Sequence, residues 1–192
     1  MSRLALALAL LLLPAQAIAD DIFCEQPWFL RNLSFDRAGY CFSSPLGQAV
    51  FDNSDCTGTD VTLSPRDEAA VAHIRQLEEW SRCEIDALAT RLEHMAMLEH
   101  FRRYALLPIP VEGESGCIGY RGPRLPLLTA PGAYDGPILG ELVPNADIHF
   151  GFLNEGTWDF VTVYPEGWSG GPGWSGWVDL GSGMPDCRQF AG

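Results

Sequence analysis

The chain has 192 residues, 47% of them hydrophobic, and sets 25 acidic side chains against 12 basic ones for a net charge of −13. A surface of that sign repels nucleic acid and anionic lipid unless a local basic patch intervenes, and the sequence shows none. With 20 Gly and 14 Pro, the composition describes a globular chain of one or two small domains.

The first element in chain order is a leader. Arg3 is followed by Leu and Ala alone from Leu4 to Leu13, then by Pro14 and the small-residue run Ala15-Gln16-Ala17-Ile18-Ala19. A basic start, a short apolar stretch and an A-x-A site predict a signal peptide over residues 1–19. The run is shorter than the roughly 20 residues that span a bilayer, so the mature chain is expected to be periplasmic or secreted, with no membrane span. No Cys follows the leader directly, which argues against a lipoprotein.

Six cysteines follow the leader: Cys24, Cys41, Cys56, Cys83, Cys117 and Cys187. An even number in an exported chain predicts up to three disulfides, for which about 15 pairings exist. No C-x-x-C pair and no zinc-like His spacing occurs, so neither metal nor cofactor is expected. A two-domain division leaves Cys117 with Cys187; among the other four, Cys41–Cys56 and Cys24–Cys83 are preferred.

Residues 20–107 read as helical. A short helix is expected from the first turn at Pro27, with Trp28, Phe29 or Leu33, and Phe35 as its stripe and Gly39 as its stop. A tethered loop follows over 41–56. Ser64-Pro65, with Asp67 and Glu68 in the first turn, then predicts a helix start. Ile74, Leu77, Ile85, Leu88, Leu92, Met95, Leu98 and Phe101 recur at mostly three- and four-residue intervals, with no Pro or Gly from Arg66 to Ala105. That pattern predicts one long amphipathic helix of about 60 Å, or two helices broken near Cys83. An unbroken helix would bury its stripe against a partner, which makes a homodimer a candidate.

Residues 108–116 read as a linker. From 117 to 192, six short strands alternate with Pro-Gly turns and predict a small β-barrel. The expected fold class is therefore α+β, a disulfide-linked helical domain followed by a barrel.

Both halves carry a resemblance. Trp28, Arg31-Asn32, Phe35, Arg37-Ala38-Gly39-Tyr40, Phe42 and Leu63-Ser64 resemble the pattern of the YARHG domain, an extracellular or periplasmic bacterial module, over Cys24 to Cys83. Ala38 stands where the histidine of the family motif would be. This resemblance implies no activity, and Arg31 and Arg37 are read as helix residues paired with carboxylates such as Asp36. The second half is similar to bacterial SH3-like domains, on the Pro131-Gly132 turn and the terminal Gly176-Trp177-Val178. That resemblance implies recognition of peptides or cell-wall fragments through an aromatic groove. Tyr134, Trp158, Trp168 and Trp174 are the candidate contacts, with Phe150, Phe152 and Tyr164 also available. Trp177 is expected in the barrel core.

Candidate chemistry is sparse. Gly167-Trp168-Ser169-Gly170-Gly171 fits the nucleophile pattern G-x-S-x-G, but the glycines and Pro172 after Ser169 do not open a helix and no His follows. His94 and His100, six residues apart, fall about 240° apart on a helix and cannot share a metal there. His73 and His149 are isolated. A non-enzymatic module that binds a wall fragment, peptide or partner protein is the leading expectation, with a helix-mediated assembly protein and an envelope hydrolase as alternatives.

Overall fold

The computed structural model describes residues 22–169 and 171–192, so the expected leader lies outside the described residues. Helix α1 (Ile22–Arg37) starts earlier than the sequence suggests and contains Pro27 rather than beginning with it. Its fully buried apolar residues are Phe29, Leu30 and Leu33, while Trp28 and Phe35 are only partly covered. The chain leaves the helix through Gly39, whose φ of +86° is a left-handed conformation that suits glycine. A Cβ there would stand 2.6 Å from Thr57 Oγ1.

Helix α2 (Pro45–Val50) is capped by the Ser44 hydroxyl, which accepts the Gly47 N–H. Helix α3 (Pro65–Trp80) is capped in the same way by Ser64, which accepts from Asp67. It lies along α1, joined by Arg31 Nε donating to Glu78 at 2.9 Å and by the Cys24–Cys83 disulfide just past its end.

The long helix expected over 65–105 does not form. The chain stops being helical at Trp80, turns at Arg82 with φ of +53°, and stays irregular to His94. A four-residue helix α4 (Met95–Leu98) and a 3-10 turn (Glu99–Arg103) follow. Two long-range ties explain the departure. Cys83 is bonded to Cys24, and the buried Glu25 carboxylate accepts the backbone N–H groups of Glu93 and His94 at 2.7 and 2.8 Å. Leu92, Leu98 and Phe101 still reach the core, but by a folded-back path. Val71, Ile74 and Leu77 of α3 are buried within the chain, whereas Leu88 of the expected stripe is exposed.

The second half builds one antiparallel sheet from β1 (Pro110–Tyr120), β4 (Asp147–Phe152), β5 (Trp158–Tyr164), β6 (Trp174–Asp179) and β7 (Cys187–Ala191), in the order β6-β5-β4-β1-β7. A separate ribbon pairs β2 (Leu125–Leu127) with β3 (Gly140–Leu142). β1 begins inside the expected linker 108–116, and its register against β4 shifts between Pro110 and Ser115. The ribbon meets β6 through one bridge, Leu128 to Trp177. Its close approach uses Gly176, where a Cβ would stand 2.8 Å from Leu127 Cβ. Among the described residues no ladder joins β7 back to the ribbon, so the sheet is open and does not close into the expected barrel. Cys117–Cys187 fastens β1 to the edge strand β7, and Cys41–Cys56 closes the loop after α1.

Alternation along the strands divides the sheet into two working faces. Cys117, Ile148, Val161, Val163 and Val178 pack with Leu127 and Leu142 of the ribbon. Phe160 and Trp177 instead join Phe29, Phe101 and Tyr104 in the core of the helical half. The seam is also polar: Trp177 Nε1 donates to Leu106 O at 2.9 Å, Tyr104 Oη to Ser175 O at 2.9 Å, and Arg66 to Glu155 at 2.6 Å. The result is a mixed helix-and-sheet fold with three disulfides and one wall shared by both halves.

Candidate functional site

Strand register sets the floor of a cleft between the two halves. Gly116 faces His149, His149 faces Thr162, and Thr162 faces Ser175, so these four residues form one cross-strand row. The Thr162 and Ser175 hydroxyls hydrogen-bond at 2.8 Å. His149 Nε2 lies 3.1 Å from the Glu114 carboxylate without the alignment of a hydrogen bond. Above the row, α4 and the 3-10 turn bring Met97, His100, Phe101 and Arg103, enclosing about 570 Å³ with Trp174 at its side. That volume lies within the roughly 300–1,000 Å³ of small-ligand sites.

The roof carries its own electrostatics. His100 Nδ1 sits 2.7 Å from Met97 O, and since a carbonyl only accepts, Nδ1 holds the proton and Nε2 is left as an acceptor. Burial pushes the His100 pKa below its ordinary value; the Met97 bond opposes this and the Arg103 charge reinforces it. Arg103 is exposed, donates to Tyr104 Oη at 3.1 Å and stands 5.3 Å from the centre of that ring. Among the described residues no group of three or more His, Cys, Asp or Glu could hold a metal ion. The arrangement offers hydrogen bonds, an aromatic surface and one guanidinium.

The aromatic residues anticipated from the sequence separate into two places. Trp168 and Trp174 lie near the cleft. The Trp168 ring rests 4.9 Å from Tyr164 and 6.1 Å from His149, over Gly116, where a Cβ would stand 3.0 Å from it. Tyr134 and Trp158 form an edge contact at 5.9 Å, and Trp158 opens β5 whereas Tyr164 closes it, about 20 Å along the strand. Phe152 lines the cleft, and Phe150 lines a second, open concavity of about 700 Å³ beside β7, with Met184 and Phe190.

The remaining candidates do not line the cleft. Ser169 is exposed in the turn after β5, and the chain continues into strand β6 rather than into a helix. His73 Nε2 contacts Pro110 O at 3.1 Å, and His94 Nδ1 contacts Glu25 at 3.1 Å. Arg31 pairs with Glu78 rather than Asp36, and Arg37 donates to the carbonyls of Arg102 and Tyr104. Asn32 bonds Trp28 O, and Trp28 packs near Phe51. Phe35 meets Tyr40, which meets Phe42. The motif thus fastens α1 to α3 and to the segment that leads into the sheet.

The sequence reading did not single out Arg103, Thr162 or Ser175, or give His100 and His149 a role in binding. A local signal existed only for the two hydroxyl residues, polar positions within otherwise apolar strands; the convergence of the rest depends on register and on the folded-back 81–94 segment.

Comparison with known families agrees with the first resemblance and gives the second half a different description. A YARHG domain matches residues 3–79, and a family described as a domain of unknown function, DUF4453, matches residues 82–192. The change of family falls directly after α3. No curated protein and no solved structure matches the chain. With more than half its length matched by the second model, the chain belongs to the DUF4453 family and carries a YARHG domain ahead of it.

Proposed function

We propose that this protein is an exported binding module that holds a peptide or cell-wall fragment in the cleft between its helical half and its sheet, without chemistry on the ligand. The leader-like start, the three disulfides and the YARHG domain support a periplasmic or extracellular setting. We read the sheet and ribbon as an opened relative of an SH3-like module, on the strength of the Gly176-Trp177-Val178 strand and the Pro131-Gly132 turn. The observation that carries the reading is the cleft itself, with a hydrogen-bonding row on a sheet floor and an aromatic, partly charged roof.

Co-sedimentation of the oxidised protein with purified peptidoglycan tests this reading. Binding that Trp174→Ala weakens while leaving the melting temperature unchanged supports it; binding indifferent to Trp174 removes the cleft from the account. A second reading, a scaffold for a partner protein, is favoured by the concavity beside β7, where Met184 is 76% and Phe190 43% exposed. It predicts that Phe190→Ala abolishes recovery of a stoichiometric partner from periplasmic extract while Trp174→Ala does not.

A further inference from the structure

We propose that the cleft selects a peptide by its free C-terminal carboxylate and that Arg103 is the residue that receives it. The inference rests on the binding reading above and names the chemistry of the ligand. In a chain of net charge −13, the cleft departs from the general sign. Among the described residues that line it, Arg103 is the only Arg, and the only carboxylate, Glu114, is already beside His149. Arg103 makes no ion pair with any described residue. One of its N–H groups is used on Tyr104 Oη, which with the ring beneath fixes the guanidinium and leaves the rest of its fork for a second acceptor.

A guanidinium so placed matches a planar carboxylate through two parallel hydrogen bonds, and such charge-assisted pairs are stronger than neutral ones. His100 lies on the same cleft wall, three residues earlier, and with Nδ1 turned to Met97 O it offers Nε2 as an acceptor; burial and Arg103 lower its pKa. The Thr162–Ser175 hydroxyl pair and Trp174 supply what a peptide further requires: hydrogen-bond partners for its amides and an apolar surface for a side chain. A sugar alone would use the hydroxyls and the aromatic ring but would leave Arg103 unanswered.

The test is calorimetric titration of the oxidised full chain with a pool of N-acetylated pentapeptides of mixed sequence, prepared once as free acids and once as C-terminal amides. The free acids are expected to bind about tenfold more tightly than the amides. Arg103→Gln should abolish that difference, and Arg103→Lys, which keeps the charge but loses the fork, should retain only part of it. Trp174→Ala should weaken both pools alike. Equal binding of acids and amides to the unaltered protein, or a preference that survives Arg103→Gln, overturns the carboxylate assignment and leaves the binding reading standing. Failure of both pools to bind overturns the peptide assignment, and the binding reading is then decided by co-sedimentation with peptidoglycan.

Discussion

Asp159 shows how one residue can be held against its preferred state. It lies opposite Val178 on β6, one position from the pair formed by Trp158 and Asp179. Burial raises its pKa above the usual carboxylate range, and the like charge of Asp179 raises it further. The folded protein therefore keeps this proton to a higher pH than the unfolded chain, whose carboxylate titrates near the ordinary value of 3.8. Stability that is present below that value is lost as pH rises through the raised folded pKa. Asp159→Asn is expected to raise the melting temperature at neutral pH, by about 2–4 °C for each kcal/mol relieved in a chain of this size. The gain should shrink below pH 3.8, where the native side chain is also uncharged. Thermal melts of both proteins across that range check the sign, and a gain that is independent of pH would point to a cause other than ionisation.

The segment between α3 and α4 is held at its far end by a buried carboxylate, as it is held at its start by the Cys24–Cys83 disulfide. Glu25 is 1% exposed and accepts two backbone N–H groups as well as the His94 ring contact. Glu25→Ala leaves those donors without an acceptor, at a cost of about 1–3 kcal/mol for each one that stays buried. Hydrogen exchange should quicken first at Glu93 and His94 and much less within α3; a uniform change along the chain would mean that the segment has no local role. The same contact explains what the sequence could and could not convey. Ser64-Pro65 is a local signature, and α3 starts there because a cap acts over three residues. Asp147 to Leu153 and Trp158 to Tyr164 read as strands from their own alternation and correspond to β4 and β5. The end of α3 was harder to read, because apolar spacing continues past Trp80 while the forces that bend the chain come from Glu25 and Cys24, far away in sequence. β1 was hidden for a different reason: Val111-Glu-Gly-Glu-Ser-Gly has the composition of a linker and gains its strand form by pairing with β4. The row His149, Thr162 and Ser175 is still less legible, since only register brings its members together.

At the scale of the whole molecule, the boundary between the two family matches is not a boundary of packing. Trp177 belongs to β6, yet it is fully buried, lies 5.5 Å from Phe160 and donates to Leu106 O across the seam. Phe160 in turn meets Tyr104 at 4.7 Å and Phe101 at 6.1 Å. A sheet separated from the helical half would expose these rings on the face opposite the ribbon, and the helical half would lose one wall of its core. The two halves are therefore expected to unfold in one transition, although each has its own disulfides. Trp177→Ala should cost about 3–5 kcal/mol, the usual range for removing a buried aromatic side chain. Trp177→Phe should cost less, because it keeps a ring in place while losing the bond to Leu106. Circular dichroism recorded separately in the helix-sensitive and aromatic regions, over one thermal melt, distinguishes the alternatives. Coincident curves that shift together in both variants indicate a single cooperative unit. Two curves, of which only the aromatic one moves with Trp177, would show that the sheet folds independently and that the cleft lies between two separable bodies.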